Sequence, residues 1–189
     1  TKTLSTALTN LSTPKRLDLQ FSGKLDKTMI KILVDYKNII TSLDLRVWGN
    51  KSFLLTKYPS LRFESLESLT LQRGLSVVYG YDHVMKTVCE SMTGKHADNL
   101  KNLKIVGLAV DLKVEEMPEL ESLIIDEVCT EATWSLLKQC KQTISRLELY
   151  EIMLKAPPAF MTDNYEDFDI PNLKQLILNY SNSNTFSFI

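Results

Sequence analysis

One short pattern, L-x-x-L-x-L, recurs along this chain with substitutions only among aliphatic residues at its apolar positions, and no other feature restricts the fold so strongly. The copies read ITSLDL at Ile40 to Leu45, LESLTL at Leu66 to Leu71, LKNLKI at Leu100 to Ile105, LESLII at Leu120 to Ile125, ISRLEL at Ile144 to Leu149 and LKQLIL at Leu173 to Leu178. A degenerate first copy, PKRLDL, lies at Pro14 to Leu19. With the fourth position as anchor, Leu17, Leu43, Leu69, Leu103, Leu123, Leu147 and Leu176 follow one another at separations of 26, 26, 34, 20, 24 and 29 residues. On a helix the sixth residue of each copy would sit about 140° around from the first, off any single apolar stripe. On a strand the fourth and sixth positions share one face, and the first covers the turn leading in. One copy cannot bury that face. Copies laid side by side can, by forming a parallel sheet over a continuous aliphatic interior.

A repeat of roughly 20 to 29 residues with this consensus is the signature of leucine-rich repeats. The expected fold class is therefore α/β: a leucine-rich-repeat solenoid with a curved parallel β-sheet on the concave face and helices and loops on the convex face. Residues 1–189 read as a single domain of about seven irregular repeats. The ninth position, usually Asn or Cys, holds Ser22, Trp48, Gly74, Leu108, Val128, Ile152 and Ser181. An asparagine ladder is thus not expected. Irregular spacing with apolar ninth positions, and strands announced by proline as in MPELESLII (Met117 to Ile125) and IPNLKQLIL (Ile170 to Leu178), resembles the repeat domain of F-box/leucine-rich-repeat substrate receptors. That resemblance implies a module that holds a target for ubiquitin transfer while another domain binds the ligase. The chain opens at Thr1, and Leu4, Leu8 and Leu11 read as the tail helix of an earlier repeat, so a segment of a longer chain is expected.

The returning segments read as partly helical. Asp26 can cap a helix from Lys27 to about Tyr36 with Met29, Ile30, Leu33 and Val34 inward. Similar helices are expected from His83 to about Met92 and from Glu131 to about Lys141, the latter opened by Thr130. The proline-bearing, acidic stretch Ala156 to Pro171 reads as an exposed excursion. In the tail, Phe186, Phe188 and Ile189 are expected to cover the last strand.

Charge and cysteine usage narrow the partners. Twenty-two Lys and Arg against twenty-three Asp and Glu leave a net charge of -1, which gives no electrostatic case for nucleic acid or an anionic membrane. No apolar run approaches the roughly 18 residues of a membrane-spanning helix. Cys89, Cys129 and Cys140 are odd in number and form no CxxC pair, so a reducing, intracellular location in cytoplasm or nucleus is the simpler expectation. An extracellular receptor fragment is the alternative. The sequons beginning at Asn10, Asn50 and Asn179 would matter there, but the cysteine-rich end caps of such receptors are missing.

Catalytic and metal chemistry find little support. The two histidines, His83 and His96, stand at no metal spacing from a cysteine, and Cys89 falls on the inward side of its expected helix. The acidic cluster Glu115, Glu116, Glu119 and Glu121 reads as a solvated rim. No phosphate-cradle or zincin motif occurs. The expectation is no enzyme, no cofactor and no metal. What remains is the inner face, where the third, fifth and seventh positions of each copy point away from the core. Arg16, Asp18, Gln20, Ser42, Asp44, Arg46, Ser68, Thr70 and Gln72 make its first three strands polar. From the fourth strand onward Val106, Ile124, Tyr150 and Ile177 appear, flanked by Lys104, Asp126, Arg146 and Glu148. An apolar centre with a charged rim is the pattern of an interaction site. The expected partner is a protein ligand on the concave face, with Tyr150 and Ile124 as anchors. Two other readings stay open: a scaffold segment that makes its contacts through edges or outer helices, and isolated aliphatics that serve sheet propensity alone.

Overall fold

The computed structural model describes residues 16–24, 26–48, 62–73, 98–107, 117–126, 143–150, 171–179 and 185–188. In chain order these form β1 (Leu17–Lys24), α1 (Lys27–Tyr36), β2 (Ile40–Trp48), β3 (Ser68–Arg73), β4 (Asn102–Val106), β5 (Ser122–Asp126), β6 (Arg146–Tyr150), β7 (Gln175–Asn179) and β8 (Thr185–Phe188). The eight strands make one open sheet whose spatial order is the sequence order. β1 to β7 run parallel, each beside the next, and β8 pairs antiparallel with β7. Mostly parallel pairing of short strands in strict chain order is compatible with a repeat solenoid.

The repeat pattern sets the register. Leu43, Leu69, Leu103, Leu123, Leu147 and Leu176 stand side by side as one row, and Leu45, Leu71, Ile105, Ile125, Leu149 and Leu178 as a second. Both rows are buried from β2 to β6, together with the first-position residues Ile40, Leu66, Leu100, Leu120 and Ile144. Leu173 and Leu176 pack against the same core from a partly buried position. Burying each aliphatic side chain stabilises by about 1.5–3 kcal/mol. The two-residue alternation therefore makes it costly to turn the other face inward.

The first copy departs from the expected anchor. Leu17 lies opposite Ile40, an irregularity follows between Leu17 and Asp18, and Leu19 rather than Leu17 stands beside Leu43, with Phe21 beside Leu45. Leu19 is buried, while Leu17 and Phe21 are partly buried. An offset of two residues keeps every side chain on its face, whereas an offset of one would invert the strand. The outward residues of β1 level with those of β2 are accordingly Asp18, Gln20 and Ser22, and Arg16 precedes the strand.

Entry into the strands follows a recurring backbone arrangement. The Leu66 N–H donates to the Phe63 carbonyl and the Leu120 N–H to the Met117 carbonyl, which turns the chain just before the repeat begins. Phe63 and Met117 are fully buried, an additional apolar position three residues ahead of the first leucine that the L-x-x-L-x-L pattern does not contain. At the next step one carbonyl per repeat accepts two consecutive N–H groups of the following repeat. Glu67 O receives Lys101 and Asn102, Lys101 O receives Glu121 and Ser122, Glu121 O receives Ser145 and Arg146, and Ser145 O receives Lys174 and Gln175, all at 2.8 to 3.1 Å. Side chains add to this. Ser65 Oγ donates to Asn38 O at 2.7 Å and Asn99 Nδ2 to Glu64 O at 2.6 Å, each from the residue just before a first-position leucine. These bonds tie the turn of one repeat to that of the next on the exposed side of the chain.

α1 starts as the sequence predicts. Asp26 caps it, Oδ1 accepting from the Met29 N–H at 2.9 Å. Met29, Ile30, Ile32 and Leu33 are buried, and Met29, Ile32 and Leu33 share one core with Leu19, Leu43 and Leu45. Val34 is only partly buried, so Ile32 takes the inward place expected of it. After β4, Gly107 turns the chain with φ 70, a left-handed conformation that a side chain resists, and its N–H donates to Asp126 O at 2.7 Å. At the far end β8 adds to the sheet edge, Phe188 opposite Leu176 and Phe186 opposite Leu178. The tail thus meets the last strand by backbone pairing. The expected helices at 83–92 and 131–141, the excursion at 156–170, the N-terminal leucines and all three cysteines lie outside the described residues. No helix among the described residues is long and apolar enough to cross a membrane.

Candidate functional site

Alternation leaves three rows of side chains on the open face of the sheet. The first runs Asp18, Ser42, Ser68, Asn102, Ser122, Arg146 and Gln175; the second runs Gln20, Asp44, Thr70, Lys104, Ile124, Glu148 and Ile177. The third runs Ser22, Arg46, Gln72, Val106, Asp126 and Tyr150. All eight residues singled out from the sequence, Lys104, Val106, Ile124, Asp126, Arg146, Glu148, Tyr150 and Ile177, come together on this face over β4 to β7. They differ in exposure. Lys104 and Arg146 are exposed, Val106, Ile124, Asp126, Tyr150 and Ile177 are half-buried, and Glu148 is 4% exposed.

The two ends of the face are built differently. Over β1 to β3 the polar residues bond across strands. Gln20 Nε2 donates to Asp44 Oδ2 at 3.1 Å, Arg46 Nε donates to Gln72 Oε1 at 2.8 Å, and the buried Thr41 Oγ1 donates to Asp18 Oδ1 at 2.9 Å. Arg16 pairs with Glu67 at 3.3 Å across a solvent-exposed gap. This end ties its longer polar side chains to one another. Over β4 to β7 the middle row instead alternates charged and aliphatic residues, Lys104, Ile124, Glu148 and Ile177, so that two isoleucines flank Glu148.

Glu148 is the residue whose position the sequence does not anticipate. Read as a solvent-facing rim charge, it is instead buried between those two isoleucines, with Arg146 and Tyr150 two residues away along its own strand. Both carboxylate oxygens are occupied. Oε1 accepts from Arg146 Nε at 2.6 Å and ion-pairs with Arg146 Nη2, and Oε2 accepts from the Tyr150 hydroxyl at 2.8 Å. A buried carboxylate survives desolvation only with such partners. The signal was present in the sequence as R-x-E-x-Y between two isoleucine-bearing strands, but recognising it requires the lateral register. The side chain of Arg146 is 49% exposed against 5% for that of Glu148, so the guanidinium reaches from the buried carboxylate into solvent.

The pair also sets the chemistry of Tyr150. Its pKa is raised above 10.0, first by the hydrogen bond it donates to Glu148, then by partial burial and by the charges of Glu148 and Asp126, with Arg146 opposing. The phenol is therefore a neutral donor at physiological pH. Among the described residues no group of three or more His, Cys, Asp or Glu is placed to hold a metal ion. No ion pair or hydrogen bond within the described residues engages the charges of Lys104 or Asp126. Compared with models of protein families, with curated proteins and with solved structures, the chain matches none.

Proposed function

We propose that this chain is a non-catalytic protein-recognition module built as an irregular leucine-rich-repeat solenoid, and that it holds its partner on the open face of β4 to β7. The observation that carries the reading is the contrast along one sheet. Over β1 to β3 Gln20 bonds to Asp44 and Arg46 to Gln72 across strands, while β4 to β7 leave Ile124, Tyr150, Ile177 and Val106 half-buried beside Lys104 and Asp126, whose charges engage no partner among the described residues. Tyr and Arg held at fixed positions among aliphatic walls are the residue types that dominate binding energy at protein interfaces. A phenol with a raised pKa is a poor base or nucleophile at neutral pH, which favours hydrogen bonding over proton transfer as its task. The finer reading, a substrate receptor like those of F-box ligases, rests on the irregular repeats with apolar ninth positions.

Quantitative comparison of proteins co-purifying with the wild-type chain and with folded variants tests this. Tyr150→Ala and Ile124→Ala are expected to lose the same set of partners by about tenfold or more, while Lys27→Glu on the exposed side of α1 retains them. Loss with Lys27→Glu and retention with both face variants would move the contact to the outer surface and contradict the proposal.

A further inference from the structure

We infer that Glu148 makes the β4 to β7 face electrically neutral, and that the partner segment it accepts is an uncharged, apolar polypeptide stretch rather than an acidic or phosphorylated one. The inference rests on the recognition role proposed above and specifies its ligand. The cations on this face are Lys104 and Arg146, and the anions are Asp126 and Glu148. Arg146 is the residue that would ordinarily select an anion, because its planar fork fits a carboxylate or phosphate. Here Nε and Nη2 are turned onto Glu148 Oε1, so the buried carboxylate already occupies that edge of the guanidinium and balances its charge. Lys104 and Asp126 sit on adjacent strands and balance one another in sign.

The hydrogen-bonding capacity that remains suits neutral groups. Tyr150 spends its proton on Glu148 Oε2, which leaves the phenolic oxygen as an acceptor for a partner N–H. The half-exposed side of the Arg146 guanidinium keeps N–H groups for a carbonyl. One acceptor and one donor, held on either side of the Glu148 carboxylate on a strand flanked by Ile124 and Ile177, can serve main-chain N–H and C=O groups beside an apolar side chain. Glu148 itself, 4% exposed, is a positioning residue: it fixes Arg146 and Tyr150 before the partner arrives and lowers the ordering cost of binding.

Panning a random dodecamer peptide library against the folded chain, and against Glu148→Gln and Tyr150→Ala, tests this. The wild-type chain is expected to enrich peptides rich in apolar residues with no excess of Asp or Glu, and these lose affinity by about tenfold or more on Tyr150→Ala. Glu148→Gln keeps the side-chain shape but releases the arginine charge, so its enriched peptides gain acidic residues, a change that a purely structural carboxylate would not produce. Acidic peptides enriched by the wild-type chain and lost with Tyr150→Ala would overturn the neutrality inference while leaving the face in place. Peptides indifferent to Tyr150→Ala, or no enrichment, would count against the face itself and with it the inference.

Discussion

A charged residue in the middle of an apolar patch ordinarily weakens it, since a carboxylate taken out of water costs several kcal/mol unless paired. At Glu148 that cost is offset inside one strand, by the residue two before and the residue two after. Every second side chain of a strand stands on the same face, so Arg146, Glu148 and Tyr150 are the one spacing that brings all three together without help from another repeat. Tyr150 reports on the cluster. Its folded pKa is raised, so the proton is held more tightly in the folded chain than in the unfolded one. This contribution to stability is fully present below the unfolded value of 10.0 and is lost as pH rises through the folded value. Subtracting the ultraviolet titration of Tyr150→Phe from that of the wild-type chain should therefore leave a phenolate step with its midpoint above 10.0. A difference step at or below that value would show that the hydroxyl is not bonded to Glu148. The types and spacing of these three residues were legible from the sequence. The burial of the middle one was not, because it depends on Ile124 and Ile177 arriving from repeats 24 and 29 residues away.

Each strand is a two-sided object, and adjacent residues answer to different rules. Leu123 is fully buried among Leu103 and Leu147, whereas Ile124 is half-buried between Lys104 and Glu148. Chemical denaturation should show Leu123→Ala losing about 2–5 kcal/mol, with Ile124→Ala losing clearly less because its side chain is already part-solvated. Equal losses, or the reverse order, would mean that β5 presents its faces the other way round. Elements were readable from sequence in proportion to how locally they are determined. The Asp26 cap and the α1 face depend on residues within two turns, and only the exchange of Val34 for Ile32 was missed. β1 shows the opposite case. In LDLQF the leucines and Phe21 alternate whichever of them is called the anchor, so only the pairing with β2 discriminates Leu19 from Leu17. The buried Phe63 and Met117 were missed because they lie ahead of the repeated motif and recur with different side chains. β8 was missed as a strand because a short tail of Ser, Asn and Phe carries no repeat and pairs only once β7 offers an edge.

At the level of the whole molecule, chain order and spatial order coincide along the eight strands of the described residues. Each strand then depends chiefly on the strands beside it, and the described interior runs as parallel aliphatic rows along the sheet rather than as a central knot. The same layout grades the open face from a polar end at β1 to β3 to an end at β4 to β7 that mixes Val106, Ile124, Tyr150 and Ile177 with charged residues, without any change in the inward pattern. Core and open face are thereby decoupled, since the fourth and sixth positions fill the interior while the third, fifth and seventh stand on the other side of the sheet. The most direct check of this account is disulfide trapping along one outward row. Ser68, Asn102 and Ser122 stand side by side on β3, β4 and β5, with neighbouring strands about 4.8 Å apart. Mild oxidation should join the pair Ser68→Cys with Asn102→Cys, and the pair Asn102→Cys with Ser122→Cys, both within the reach of a disulfide. It should leave Ser68→Cys with Ser122→Cys unjoined, since a full strand lies between them. Efficient cross-linking of that last pair, or failure of both adjacent pairs in folded protein, would contradict the parallel, in-register sheet on which every functional statement above depends.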